Sequence, residues 1–245
     1  MTSPPTDPTH AQTVRFYDVE ADRYDHSRYA SAGGRRVDAF HKAVLEQLLF
    51  SHLRPDARVL ELGCGTGRLL VHFAPRFAGL EGIDASDGML RAAERRAPPD
   101  GRLSLVHGSA YALPYAPASF DAAYSILVIN LLADFPAVFR ELGRVLRPGA
   151  RLVFNVPNLY SIYWPGGALV NLRGRTTGSN RAGARHSHWF TRSEVVATLR
   201  DAGFAIADAL GQPPLLGRGL LTQALPGTAP WSLLCKSLYV AAERA

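Results

Sequence analysis

Cysteine is scarce in this chain. Two residues, Cys64 and Cys235, make neither a disulfide framework nor a metal cluster, so no metal is expected and the fold must rest on its own core. Long apolar runs are missing too. None approaches the roughly 18 residues that a membrane span needs. The opening residues, Met1 to His10, are rich in Pro and Thr and have no apolar signal core, so residues 1–13 are expected to form a disordered arm. There is no long basic run and no motif that interleaves basic residues with aromatics. The formal charge is nevertheless +6 and the pI about 9.6, with nearly all the basic residues Arg. A basic excess can mark nucleic-acid binding, but without a patch in the sequence it reads as a solvated, arginine-rich surface. These absences leave a cytoplasmic enzyme with neither a membrane nor a nucleic-acid partner, as a monomer or homodimer.

What is present is a full core. At 245 residues with 47% hydrophobic content, the chain suits one domain over residues 14–245. Strand and helix patterns alternate along it. Strands are expected at Arg58–Leu62, Gly79–Asp84, Leu103–His107, Asp121–Val128, Ala150–Val156, Phe204–Leu210 and Ser237–Glu243. Helices are expected over Arg35–Leu53, from the glycine turn to Phe73, over Asp87–Arg96 with Ser86 as its cap, over Phe135–Leu146, and over Ser193–Ala202 with Gly203 behind it. This order predicts an α/β fold: a Rossmann-like, mostly parallel seven-stranded sheet, helices on both faces, and an antiparallel final strand. Residues 14–53 form an N-terminal helical segment, and residues 157–190 a cap inserted between a core strand and the next helix.

The most informative stretch is Val59-Leu60-Glu61-Leu62-Gly63-Cys64-Gly65-Thr66-Gly67-Arg68. It reads as strand, tight turn and helix start. Glycine is required where backbone turns with positive φ or approaches a ligand closely, and such a turn is where open α/β sheets bind nucleotide cofactors. A dinucleotide site spaces its glycines as Gly-x-Gly-x-x-Gly. Here the third glycine falls one residue early, and Glu61 suits a cationic ligand better than a pyrophosphate. Asp84 ends the second strand about twenty residues on, where a carboxylate can accept both ribose hydroxyls. A strand-end turn former is the bland alternative.

The glycine stretch closely resembles motif I of the class I S-adenosylmethionine-dependent methyltransferases, and the resemblance extends from about Phe16 to Phe204. It implies S-adenosyl-L-methionine as cofactor and transfer of a methyl group to a small-molecule acceptor, most readily at oxygen, with nitrogen, sulfur or carbon open and natural-product tailoring as the setting. It implies cofactor contacts from Glu61, Gly63, Cys64, Gly65, Gly67, Asp84, Ala85, Met89, Ala110 and Ser125. Ser109 stands where the family usually has Asp. Tyr24 and Arg28, in an N-terminal segment similar to the family's, would close over the methionine end. Asn130 stands near a position where many relatives carry His, and the Asn/Asp-Pro-Pro-aromatic motif of nucleic-acid amino-methyltransferases is missing. Tyr17, Asn130, Tyr160, Tyr163, Trp164 and Trp189 are the expected acceptor contacts, and His186 and His188, at the cap exit, the candidate bases. The altered Ser109 and Asn130 motivate a rival: a cofactor-binding protein of the same fold that catalyses a non-methylating reaction or serves as a scaffold.

Overall fold

The computed structural model describes residues 8–159, 188–212, 225–226 and 235–245. Three helices lead: α1 Pro8–Glu20, α2 Tyr24–Tyr29 and α3 Ala32–Leu48. Then come β1 Val59–Leu62, α4 Arg68–Phe73, β2 Leu80–Asp84, α5 Asp87–Arg96, β3 Leu103–His107 and β4 Phe120–Ser125. They are followed by α6 Phe135–Val145, β5 Leu146–Pro157, α7 Arg192–Asp201, β6 Phe204–Gln212, β7 Leu225–Pro226 and β8 Ser237–Arg244.

The sheet runs β3-β2-β1-β4-β5-β8-β6-β7. β1 to β5 are mutually parallel, while β8 enters antiparallel between β5 and β6. The seven expected strands and the antiparallel last one are all there. The two-residue β7 extends the edge by pairing with Leu210 and Gly211. Because β1 to β4 are parallel, the loops after them open on one edge of the sheet, where such folds hold ligands. Each face carries one apolar layer. Phe139, Leu142 and Val145 of α6 pack on one side. Val44, Leu45 and Leu48 of α3 pack on the other with Leu70 and Phe73 of α4.

Of the boundaries that differ from the sequence reading, two border the cleft. Helix α1 begins at Pro8, inside the stretch expected to be a disordered arm. Proline suits a first helical turn because its missing N–H is not needed there. Thr13 is buried, and the His10 ring meets Tyr111 edge-on at 5.6 Å, so this turn has packing that composition does not reveal. The fourth strand ends at Ser125, not Val128, because the chain turns through Leu127 at φ +65° and into a 3-10 turn over Ile129–Leu131.

Candidate cofactor site

The glycine turn is built as its sequence demands. Gly63, Gly65 and Gly67 all have positive φ, at 71°, 53° and 70°. A Cβ on Gly63 would stand 2.4 Å from Val128 Cγ2, so the position excludes a side chain both sterically and torsionally. The Gly63 and Cys64 amides donate to the Ile83 carbonyl at 2.8 and 3.1 Å, which pins the turn across the end of β2.

That places Asp84 against the turn. Its Oδ2 accepts from the Gly65 amide at 2.8 Å, and its Oδ1 from the Ser86 amide at 2.9 Å. Burial lifts this carboxyl above its ordinary range, while the Ser86, Gly65 and Ala85 amides pull it back. Ser86 caps α5 by accepting from the Met89 amide, which turns Met89 toward the same space. Asp18 of α1 locks the roof: its Oδ1 accepts from Ser86 Oγ at 2.7 Å and from the Gly88 amide at 2.9 Å.

These elements enclose a cleft with about 790 Å³ of empty space, part of it open to solvent, within the usual range of small-molecule sites. Tyr17, Tyr24, Gly63, Gly65, Asp84, Ala85, Met89 and Ala110, all expected site residues, line it. A smaller recess shares Tyr24, Gly63, Gly65 and Leu127 with it and adds Glu61, Cys64 and Arg68.

Glu61 is the contrasting carboxylate. It is buried and accepts from the Tyr124 hydroxyl at 2.9 Å. Burial pushes its carboxyl up to about 8, against the opposing Tyr124 hydrogen bond and Arg68 charge. Arg68 is ion-paired with Asp38 and stacked on Tyr29 at 4.2 Å. His41, sealed behind it, is driven down to about 3 by burial and by the Arg68 charge.

Other expected residues sit outside the lining of either cavity. The Ser125 hydroxyl donates to the Leu62 carbonyl at 3.0 Å and ties β4 to β1. Ser109 Oγ accepts from the Tyr111 amide at 3.2 Å, while its neighbours Gly108 and Ala110 face the cleft. Gly67 caps α4 in a left-handed conformation. Arg28 lies over the Tyr24 ring at 4.5 Å. The Asn130 carbonyl accepts from the His188 amide at 2.7 Å. The His188 imidazole contacts Glu194 Oε1 through Nε2 at 2.9 Å and packs on Phe135 and Phe190. Trp189 is buried beside it. Tyr160, Tyr163, Trp164 and His186 lie outside the described residues. The sequence reading missed His10, Thr13 and Val14, which line the cleft from α1, and Leu131 and Leu132 beyond the 3-10 turn. An i, i+3, i+4, i+7 stripe from His10 to Tyr17 was the available signal.

A parallel sheet that surrounds one cleft with a glycine turn, a strand-end aspartate and a capped helix defines a Rossmann-like cofactor-binding domain. Comparison with known proteins makes this specific. The pattern of the family described as methyltransferase domain matches residues 60–154. A demethylmenaquinone methyltransferase of Symbiobacterium thermophilum is 31% identical over 157 residues, covering 61% of this chain and 61% of that protein. A malonyl-[acyl-carrier protein] O-methyltransferase of Methylococcus capsulatus is 39% identical over 132 residues, covering 51% of this chain and 48% of that protein. The chain thus spans less than two thirds of these curated relatives. Among solved structures, the [4+2]-cyclase SpnF superimposes with a TM-score of 0.71 at 19% identity, over 100% of this chain and 99% of that one. Residues 60–154 thus match a methyltransferase domain, and the chain resembles the class I S-adenosylmethionine-dependent methyltransferases.

The site's own chemistry fits the family's cofactor, S-adenosylmethionine. An ionised carboxylate has about four lone-pair positions. Asp84 accepts from the Gly65 and Ser86 amides, with the Ala85 amide also acting on it, and still has acceptor capacity for a ligand hydroxyl. Among the described residues no His, Cys, Asp and Glu group could hold a metal ion.

Proposed function

We propose that the protein transfers a methyl group from S-adenosylmethionine to a small-molecule acceptor, with oxygen the favoured acceptor atom, in natural-product tailoring. The observation that carries this reading is Asp84, an amide-held carboxylate with acceptor capacity to spare, in the wall of a largely apolar cleft. The name of the Methylococcus capsulatus relative, an O-methyltransferase, supports oxygen.

When bound, the cofactor supplies a methyl group activated by a sulfonium. The protein's part is placement and exclusion of water. Asp84 fixes the ribose end, and Glu61 offers a counter-charge to an ammonium. Met89, Ile126, Leu127, Val128, Leu131 and Leu132 line an apolar wall. An imidazole is the natural proton acceptor for a hydroxyl substrate. His186 and His188 are proposed for it, and Glu194 holds the His188 ring as a carboxylate orients a base. His10, a cleft-lining histidine, joins them.

The test is mass spectrometry of the full-length protein with S-adenosylmethionine and a panel of phenols and carboxylic acids. A methylated product with stoichiometric S-adenosylhomocysteine is expected. Converted acceptor beside unreacted cofactor would instead establish the non-methylating alternative.

A further inference from the structure

One polar residue interrupts the apolar run of β5, Leu152-Val153-Phe154-Asn155-Val156. Asn155 is 1% exposed. A buried amide side chain needs a hydrogen-bond partner to offset its lost hydration. Here Oδ1 accepts from the Leu127 amide at 2.6 Å.

The partner's conformation is what gives the bond meaning. Leu127 has φ +65°, one of two non-glycine residues with positive φ among those described. An L-residue with a bulky side chain rarely adopts that backbone unless its surroundings enforce it. The sheet does not do so: β4 ends at Ser125, whose pairing with Phe154 is the last between β4 and β5. Asn155 is one residue further along β5, beside the chain as it leaves the sheet.

What the held segment does is form a wall. Ile126 and Leu127 line both the cleft and the Glu61 recess, and Val128 lines the cleft. Val128 also fills the space where a Gly63 side chain would stand. The orientation of one peptide therefore decides how the loop after β4 meets the glycine turn, and with it the shape of the space between the Asp84 and Glu61 ends.

We propose that Asn155 is a positioning residue for the cofactor cleft, holding Leu127 in its left-handed conformation from the strand behind and so setting cofactor affinity without touching the cofactor. This rests on the cofactor reading of the cleft, and the experiment separates the two. S-adenosylhomocysteine is titrated calorimetrically into the full chain as wild type, Asn155→Ala, Asn155→Asp, Leu127→Gly and Leu127→Gly/Asn155→Ala, with a melting temperature for each. Wild type that fails to bind overturns the cofactor reading itself.

With wild-type binding in hand, Asn155→Ala should raise Kd about tenfold, the scale of one lost buried hydrogen bond. Asn155→Asp keeps an oxygen at the same place and should stay within about threefold. Glycine adopts the left-handed backbone unaided, so in the Leu127→Gly background the alanine change should move Kd by less than about twofold, a direct coupling of neighbours. A merely structural Asn155 would lower the melting temperature and leave Kd unchanged, or weaken binding equally in both backgrounds. Either result overturns the proposal. If Asn155→Ala does not fold, amide exchange in the wild type decides. A Leu127 amide protected like those of β5 supports the proposal, and one exchanging as fast as exposed loop amides contradicts it.

Discussion

Asp84 closes β2 in the wall of the cleft; Glu61 stands inside the adjacent strand β1 and lines the smaller recess beside it. Asp84 sits at the mouth of a helix and takes two backbone amides. Glu61 takes one phenol hydroxyl and is held well above the usual carboxylate range by burial. The same functional group is prepared for opposite tasks. In the proposed reading, Asp84 is the acceptor for neutral hydroxyls. Glu61 is an acid that a cationic ligand would ionise, since an opposite charge nearby favours the charged form. The lesson is that the neighbours of a carboxylate, more than its place at a strand end, decide what it recognises.

The hardest blow to this contrast is to remove the turn that links the two ends. Gly63→Ala adds a Cβ at positive φ against Val128 and should cost about 2–5 kcal/mol, from backbone strain and overpacking together. Urea unfolding measures it, and cofactor affinity should fall with it. Asp84→Ala should weaken S-adenosylhomocysteine binding about 100-fold, because hydrogen bonds to a charged group are each worth about 1.5–3 kcal/mol. Glu61→Ala should also weaken S-adenosylhomocysteine binding, about tenfold, because the ammonium loses its counter-charge.

Glu61→Gln isolates the protonation half of the comparison. The folded carboxyl lies at about 8 against an ordinary 4.5, so the folded state holds a proton that the unfolded chain has released. The stability this confers is full below the ordinary value and is lost as pH rises towards 8. Melting curves of wild type should therefore decline between pH 5 and 8, and those of Glu61→Gln should be flatter. At pH 8 the variant should be the more stable by on the order of 5 kcal/mol. A parallel decline in both proteins would remove Glu61 from the account. At the small end, Arg95→Ala breaks an exposed pair with Asp22 at the far end of α5. It should change stability by less than about 0.5 kcal/mol and leave binding untouched, which confirms that the Asp84 effect is local.

The Asp84 end was the more legible in sequence. Its parts are local: glycines at alternate positions, an acid ending a strand, and Ser86 capping α5 from Asp87 to Arg96, as the structure has it. The mostly parallel sheet followed from the strand and helix alternation, but its strand order, with β8 between β5 and β6, did not. The Glu61 end depends on residues far apart in the chain. Arg68 meets Asp38 and Tyr29 only once α3 has packed on α4. Asp18 reaches Ser86 across 68 positions, and no periodicity announces such a bond. The positive φ of Leu127 left no mark either, since leucine favours helix and strand. His10 was hidden by a Pro- and Thr-rich composition that looks disordered. Most of the cap, which the sequence marks as the acceptor side, lies outside the described residues, so Tyr160, Tyr163, Trp164 and His186 stay expectations.

The central claim is that the glycine turn and Asp84 hold S-adenosylmethionine. Calorimetric titration of S-adenosylhomocysteine into wild type and Asp84→Ala tests it most directly. Micromolar binding to the wild type with a marked loss in the variant is the predicted result. No binding to the wild type at millimolar concentration, or equal affinity for both proteins, would contradict it.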